Sequence, residues 1–296
     1  MSKTITPVIK WSGSKRPIAH KIGVLIPDAR RYFEPFVGGG ALLPFRGIPL
    51  GFASDIIPEL VALWKAIQTA PTATAEEYRR RWERLQNKGS AVYYEVRDSF
   101  NATRNEHDFL FLTRTCVNGL VRYNDRGEFN NSFHLTRPGI NPDTLRGIIY
   151  QWHQSIREID FRCCDYRELL SETRAGDFVF LDPPYGGTKG RYWQEPFDTC
   201  ALFAELERLN HIGVKWILTF DGAAGGRSYA YAPPVGLYTI KLDMVTGLSP
   251  FTRMMKTSAD VVHESVYLNF EGRFEFSAQN RKERVQERDL FSPAYV

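Results

Sequence analysis

Asp177-Phe178-Val179-Phe180-Leu181-Asp182-Pro183-Pro184-Tyr185 is the stretch on which the reading of this chain turns. Its first half is a short run of Phe, Val and Leu bounded by Gly176 and a double proline, which predicts a buried strand of a parallel sheet. In open α/β sheets the ligand crevice lies at the carboxyl ends of the strands, which is where Asp182-Pro183-Pro184-Tyr185 falls. Such a turn suits chemistry at an exocyclic amine, whose lone pair is delocalised into its ring. A fixed carboxylate (Asp182) and a backbone carbonyl (Pro183) that both accept its N–H groups would localise that lone pair as a bond to carbon forms, a case of electrostatic preorganisation. Proline fixes the backbone there, and the Tyr185 ring could stack on a planar base. The same residues also read as an ordinary strand-ending turn with a buried tyrosine.

Working outward toward the N-terminus, Arg31-Tyr32-Phe33-Glu34-Pro35-Phe36-Val37 predicts a second strand, followed by Gly38-Gly39-Gly40 and a helix start at Ala41-Leu42-Leu43. Leu43 stands where the dinucleotide fingerprint has its third glycine, so a pyrophosphate site is not indicated. Leu50-Gly51-Phe52-Ala53-Ser54 predicts a third strand ending at Asp55, an acid placed to bind ribose hydroxyls, to cap the helix expected over residues 58–68, or both. Glycine turn and spaced acid together point to an adenosyl cofactor. Before them, Val8-Ile9-Lys10-Trp11-Ser12-Gly13-Ser14-Lys15 is a Gly/Ser turn carrying Trp and two lysines, with Ser14 as the expected cap of a helix reaching about Leu25.

Between residues 72 and 150 the pattern becomes helical, with stretches at 75–86, 93–104 and 108–120. The polar segment Arg122-Tyr123-Asn124-Asp125-Arg126-Gly127-Glu128-Phe129-Asn130-Asn131 follows and reads as a hairpin or tight loop. Its Arg, Asn and Tyr side chains are types that read base edges or touch phosphate, and equally types found in any solvated loop. A helix over 141–155 and a strand over 159–163 lead to Asp165-Tyr166. Beyond the central turn, Gly186 to Trp193 is a basic, aromatic loop suited to closing over a substrate. A helix at 198–210 and strands at 214–220, 237–242 and 264–270 follow. Residues from about 277 read as a solvated polar tail.

Composition bounds these readings. The chain has 296 residues, 43% hydrophobic and 24% charged, which is ordinary for a globular protein. A net charge of +4 is compatible with a nucleic-acid partner without arguing for one. Cys116, Cys163, Cys164 and Cys200 form no C-x-x-C pair, so neither a zinc site nor a disulfide framework is indicated, and reduced thiols in the cytoplasm are expected. There is no apolar signal core at the N-terminus and no run long enough to span a membrane.

In this order the blocks resemble the Dam-like DNA adenine-N6 methyltransferases. The resemblance runs from about Val8 to Phe270. It rests on Lys10-Trp11-Ser12-Gly13-Ser14-Lys15, Phe33-Glu34-Pro35-Phe36-Val37-Gly38-Gly39-Gly40, Ser54-Asp55, Asn118-Gly119-Leu120-Val121-Arg122-Tyr123-Asn124, Gly127-Glu128-Phe129-Asn130 and Asp182-Pro183-Pro184-Tyr185. It implies a Rossmann-like S-adenosylmethionine methyltransferase sheet, built from residues 1–71 and 151–276. It also implies a mostly helical target-recognition insert carrying a hairpin at 72–150, with a polar tail at 277–296. Trp11, Lys15, Phe36, Gly38, Gly40, Asp55, Asp165, Tyr166 and Asp182 would contact S-adenosyl-L-methionine. Asp182, the Pro183 carbonyl and Tyr185 would hold an adenine extruded from duplex DNA. Lys10 and Arg122 resemble residues that contact recognition bases. Asn118, Asn124 and Asn130 stand in the same blocks, and Lys189 and Arg191 suit phosphate.

The chain departs from the family pattern in two places. Val117 stands where relatives place an aromatic ring, and Asn131-Ser132-Phe133-His134 replaces a Val-Pro-Phe-Gly type ending. The resemblance therefore implies the chemistry and not the family's best-known target, GATC. A monomer from a restriction–modification or phage-like setting is expected, with a cognate restriction endonuclease as a candidate partner. Methylation of RNA or of a protein amide, and a silent DNA-binding protein on the same fold, are the alternative functions.

Overall fold

The computed structural model describes residues 4–184, 197–224, 227–228, 232–248, 261–272 and 282–284. Tyr185, Lys189, Arg191 and the glycine-rich loop around them lie outside the described residues.

Apolar runs flanked by glycine and proline form the sheet. Its strands are β1 (Tyr32–Glu34), β2 (Gly51–Asp55), β3 (Ile159–Cys163), β4 (Phe178–Leu181), β5 (Lys215–Ala224), β6 (Arg227–Ser228), β7 (Ile240–Leu248), β8 (Val261–Leu268) and β9 (Lys282–Arg284). The order across the sheet is β3-β2-β1-β4-β5-β8-β7-β9, with β6 paired to β5. Pairings among β3, β2, β1, β4 and β5 are parallel, whereas β8, β7 and β9 add on antiparallel. At the centre of the parallel part, β4 is buried on both faces and has no exposed residue. This is the sheet of a Rossmann-like methyltransferase. The strand order reverses at β1 and β4, which places the crevice at their carboxyl ends, beside Glu34 and Asp182.

Around the sheet lie helices α1 (Ala19–Gly23), α2 (Pro58–Thr69), α3 (Pro71–Lys88), α4 (Ala91–Thr103), α5 (Glu106–Thr115), α6 (Pro142–Ser155), α7 (Tyr166–Leu170) and α8 (Thr199–His211). Their starts are written in the sequence. Asn105 accepts N–H bonds from His107 and Asp108 at 3.0 and 3.1 Å, and Asn141 accepts from Asp143 and Thr144 at 2.9 and 3.3 Å. Pro58, Pro71 and Pro142 occupy first-turn positions where no N–H is needed. Strand alternation splits the core in two. Tyr32, Phe178, Phe180, Ile217, Val266 and Leu268 face α2–α6, while Phe33, Val179, Leu181, Leu218 and Tyr267 pack with residues of α7 and α8.

Several expectations are corrected. No α-helix starts at Ala41: only a 3-10 turn forms at Leu43–Phe45, because Gly47 (φ +64°) and Pro49 end the segment before a helix can propagate. Ser14 caps nothing. The short α1 begins at Ala19 after Ile18 without a side-chain cap. Helix α5 stops at Thr115, five residues short of the expected end, since the Val117 N–H bonds to the Ser132 carbonyl and Asn118 and Gly119 take positive φ. In the segment read as a solvated tail, Lys282–Arg284 forms β9 on the edge of β7. Among the described residues no helix is long and apolar enough to cross a membrane.

Candidate active site and nucleic-acid interface

The central turn follows β4 directly. Asp182 is 19% exposed, and its Oδ1 lies 2.7 Å from the Lys15 Nζ. Thr219, on β5, donates its hydroxyl to the same Oδ1 at 2.8 Å. Lys15 is only 4% exposed and also lies 3.3 Å from Glu264 Oε1, on β8. It donates in addition to the Gly13 carbonyl at 3.1 Å. Burial alone would lower the lysine pKa. The Asp182 and Glu264 carboxylates more than offset it and leave it raised, so Lys15 stays charged. Two residues from different stretches of sequence, Lys15 and Asp182, thus meet in an ion pair. Thr219 and Glu264 were not foreseen. Thr219 is legible in retrospect as a lone hydroxyl within the apolar run from Trp216 to Phe220, but no local signal pairs Glu264 with Lys15.

A second carboxyl sits on the same face of the sheet. Glu34 is 2% exposed, at the end of β1, and accepts the Tyr32 hydroxyl at 2.7 Å. Burial raises its pKa from 4.5 to about 8; the Tyr32 bond pulls down and the Asp182 charge pushes up. The folded chain therefore keeps a proton that the unfolded chain releases, and stability falls as pH rises from about 4.5 to about 8. Glu34→Gln retains the acceptor and removes the titration. Its stability relative to wild type should rise between pH 4.5 and pH 8 in denaturant melts. An offset that is equal at both pH values would contradict a buried, protonated Glu34.

Around the glycine turn, Gly38 (φ +44°) and Gly40 (φ +64°) adopt backbone that side chains rarely accept. A Cβ on Gly38 would lie 2.6 Å from Trp11 Nε1, so Trp11 packs on the turn itself. Trp64 Nε1 donates to the Gly38 carbonyl at 3.0 Å from beneath. Asp55 ends β2 and accepts the Gly38 N–H at 3.1 Å and the Ile57 N–H at 3.2 Å. It ties the two turns together and does not cap α2, whose cap position is Ile57. Burial raises Asp55 to about 6 against these backbone bonds. Phe36 lies 5.1 Å from the Tyr166 ring and 5.8 Å from Phe197, giving an aromatic cluster at the sheet's edge. The Tyr166 hydroxyl is buried and has no hydrogen-bond partner among the described residues. Asp165 caps α7 through the Arg167 N–H at 2.9 Å and pairs with the Arg167 guanidinium at 2.8 Å. Burial pulls its pKa up, but Arg167 outweighs this and holds it below the usual range.

The residues expected to touch DNA divide by what they already bond. The hairpin forms as expected, with a bridge between Tyr123 and Phe129. Asn124 is spent inside it: its Oδ1 accepts the Arg126 and Glu128 N–H groups at 3.0 and 2.9 Å, and its Nδ2 donates to Glu128 Oε2 at 2.9 Å. Arg122 is exposed, and its Nε donates to Asn130 Oδ1 at 2.8 Å, a bond that uses Nε and not the fork of the two terminal nitrogens. Asn101 brackets Phe129 by accepting its N–H at 2.7 Å and donating to its carbonyl at 3.1 Å, and Tyr123 donates to Glu59 of α2. The hairpin is therefore fixed to α2 and α4. Asn118 is exposed with φ +56°, and Lys10 packs its stem over Gly119. Burial and the nearby Arg114 lower the Lys10 pKa. Asn131, one of the departures from the family pattern, is buried and donates to the Val117 and Leu120 carbonyls at 2.9 Å each. It holds the loop that Val117 starts.

Sheet order, glycine turn and acid-ended β2 define a Rossmann-like methyltransferase. The model of the D12 class N6 adenine-specific DNA methyltransferases matches residues 11–219, and the chain belongs to that family. It is 31% identical over 199 residues to the retron Ec67 DNA adenine methylase of Escherichia coli, covering 65% of this chain and 68% of that protein. It is 30% identical to the type II methyltransferase M.MjaIII of Methanocaldococcus jannaschii, over 61% of this chain and 69% of the relative. A DNA adenine methylase of Vibrio cholerae is 29% identical over 60% of this chain and 64% of its own length. By family, then, the chain is an adenine-specific DNA methyltransferase using a methyl donor of the S-adenosylmethionine type.

Proposed function

We propose that this protein methylates N6 of an adenine turned out of duplex DNA at a specific sequence. The observation that carries this reading is Asp182 at the carboxyl end of β4, its Oδ1 held by Lys15 and Thr219, on the same sheet edge as the glycine turn and Asp55. S-adenosylmethionine supplies a methyl group activated on a sulfonium. The residues present fit it: Gly38 and Gly40 allow close backbone approach, Asp55 stands beside the glycine turn as an acceptor for ribose hydroxyls, and the buried Tyr166 hydroxyl has no partner among the described residues. Trp11, Phe36, Lys15 and Asp165 complete the set.

The chain's own part is to hold the amine. Asp182 and the Pro183 carbonyl accept its two N–H groups, which localises the lone pair and opposes the positive charge that grows on nitrogen. Tyr185 stacks on the base. Residues 72–150 act as the target-recognition domain, with Arg122 donating a fork to a guanine and Lys10 and Asn118 flanking it. Transfer of label from the cofactor to unmethylated duplex DNA, in competition with RNA and peptide, tests the reaction. Label in N6-methyladenine of the DNA is expected, and label in RNA or peptide instead would overturn it.

Asp55 gives a pH dependence. A protonated carboxyl cannot accept from both ribose hydroxyls, so cofactor binding should weaken by up to about tenfold per pH unit below about 6. Calorimetry from pH 5 to pH 7.5 reads this. Asp55→Asn should bind more weakly and lose the dependence, and a wild-type affinity that is flat across the range would contradict the assignment.

A further inference from the structure

Alternation along the strands gathers four side chains on one face at the active edge: Glu34 from β1, Asp182 after β4, Thr219 from β5 and Glu264 from β8. Lys15 reaches into this row. Two donors, the Lys15 ammonium at 2.7 Å and the Thr219 hydroxyl at 2.8 Å, converge on Asp182 Oδ1. They engage both lone pairs of that oxygen and so set the rotation of the carboxylate. Thr219 is completely buried, and its one hydroxyl hydrogen has Asp182 Oδ1 at 2.8 Å as the nearer acceptor, ahead of the Leu181 carbonyl at 3.3 Å.

The lysine creates an electrostatic problem for the reaction. Methyl transfer moves positive charge toward the target nitrogen, and a cation 2.7 Å from Asp182 would cancel the field that this carboxylate should supply there. Glu264 answers it. Its carboxylate lies 3.3 Å from Lys15 at 10% exposure, so the one ammonium is shared between two carboxylates, those of Asp182 and Glu264. Sharing the ammonium with Glu264 leaves Asp182 more of its negative field for the amine.

We propose that Thr219 and Glu264 are positioning residues for methyl transfer, Thr219 by fixing Asp182 Oδ1 and Glu264 by neutralising Lys15. This rests on the amine-binding role of Asp182 given above. Neither residue needs to touch the reacting atoms, so their loss should appear chiefly in the transfer step, with any change in cofactor affinity, passed on through Lys15 or Asp182, the smaller effect.

Single-turnover transfer from labelled S-adenosylmethionine to long duplex DNA free of N6-methyladenine, which holds every short sequence, reads the step. Calorimetry reads cofactor binding on the same proteins. Thr219→Val should slow transfer by roughly 10- to 100-fold with cofactor affinity within about twofold of wild type, and Thr219→Ser should recover most of the rate. Glu264→Gln, which keeps size and removes charge, should slow transfer by about tenfold or more, again without a matching loss of affinity. Wild-type rates in both Thr219→Val and Glu264→Gln, no recovery in Thr219→Ser, or losses confined to cofactor affinity would overturn the proposal. Asp182→Ala run in parallel separates the two levels. If it is inactive while the other variants match wild type, only the positioning roles fail. If it transfers at the wild-type rate, the role of Asp182 fails as well.

Discussion

Asp182→Ala should lower the rate of methyl transfer by at least ~10²–10³-fold at saturating cofactor and DNA, while cofactor binding persists. The size follows from what the carboxylate supplies: an acceptor for an amine N–H and a negative charge beside the nitrogen on which positive charge develops. Asp182→Asn is the sharper variant. It keeps an acceptor for Lys15 and Thr219 at Oδ1, and so the local packing, but withdraws the charge. Its rate should fall between wild type and alanine. An Asn variant equal to wild type would mean that the charge contributes nothing and that only the acceptor matters. Lys15 remains beside Glu264 in both variants, so neither leaves a buried cation alone, and melting curves should confirm a folded protein.

Arg122→Ala should cost about 1–3 kcal/mol of discrimination at one base position, because a bidentate pair to guanine is lost. Asn130 Oδ1 braces the guanidinium through Nε, so Asn130→Ala should show part of the same loss at the same position. Binding measured on a panel of single-base variants of the preferred site would read both. If Arg122→Ala instead weakens all sequences equally and reduces the salt slope by about one, Arg122 is a phosphate contact. Asn124, by contrast, should act on hairpin stability before it acts on sequence preference, since both lone pairs of its Oδ1 already serve the turn.

How much was legible in the sequence depends on whether the signal is local. Strand β3 falls on its expected residues, and β4 ends at Leu181, just before Asp182, as expected, because an apolar run between turn residues has few other solutions. The hairpin is legible from Asp125 and Gly127, and Asp55 from its place at the end of an apolar segment. Expectations failed where tertiary contacts overrode a local pattern. Asn141 and Asn105 cap helices as their side chains permit, but Ser14 does not, since its turn is shaped to deliver Lys15 into the sheet. The early end of α5 follows from backbone bonds to residues 132–134, which no window around residue 116 contains. Glu264 was the least accessible. Its partner Lys15 lies at the other end of the chain, and only the antiparallel pairing of β8 with β5 brings them together.

Reading modified bases in sequence context tests the central claim most directly. The protein would be expressed in a host without adenine methylation of its own and the host DNA sequenced. The expected result is N6-methyladenine at one short recurring sequence, absent when Asp182→Ala is expressed at the same level. DNA left unmodified by the folded wild-type protein, or modified equally by Asp182→Ala, would contradict it.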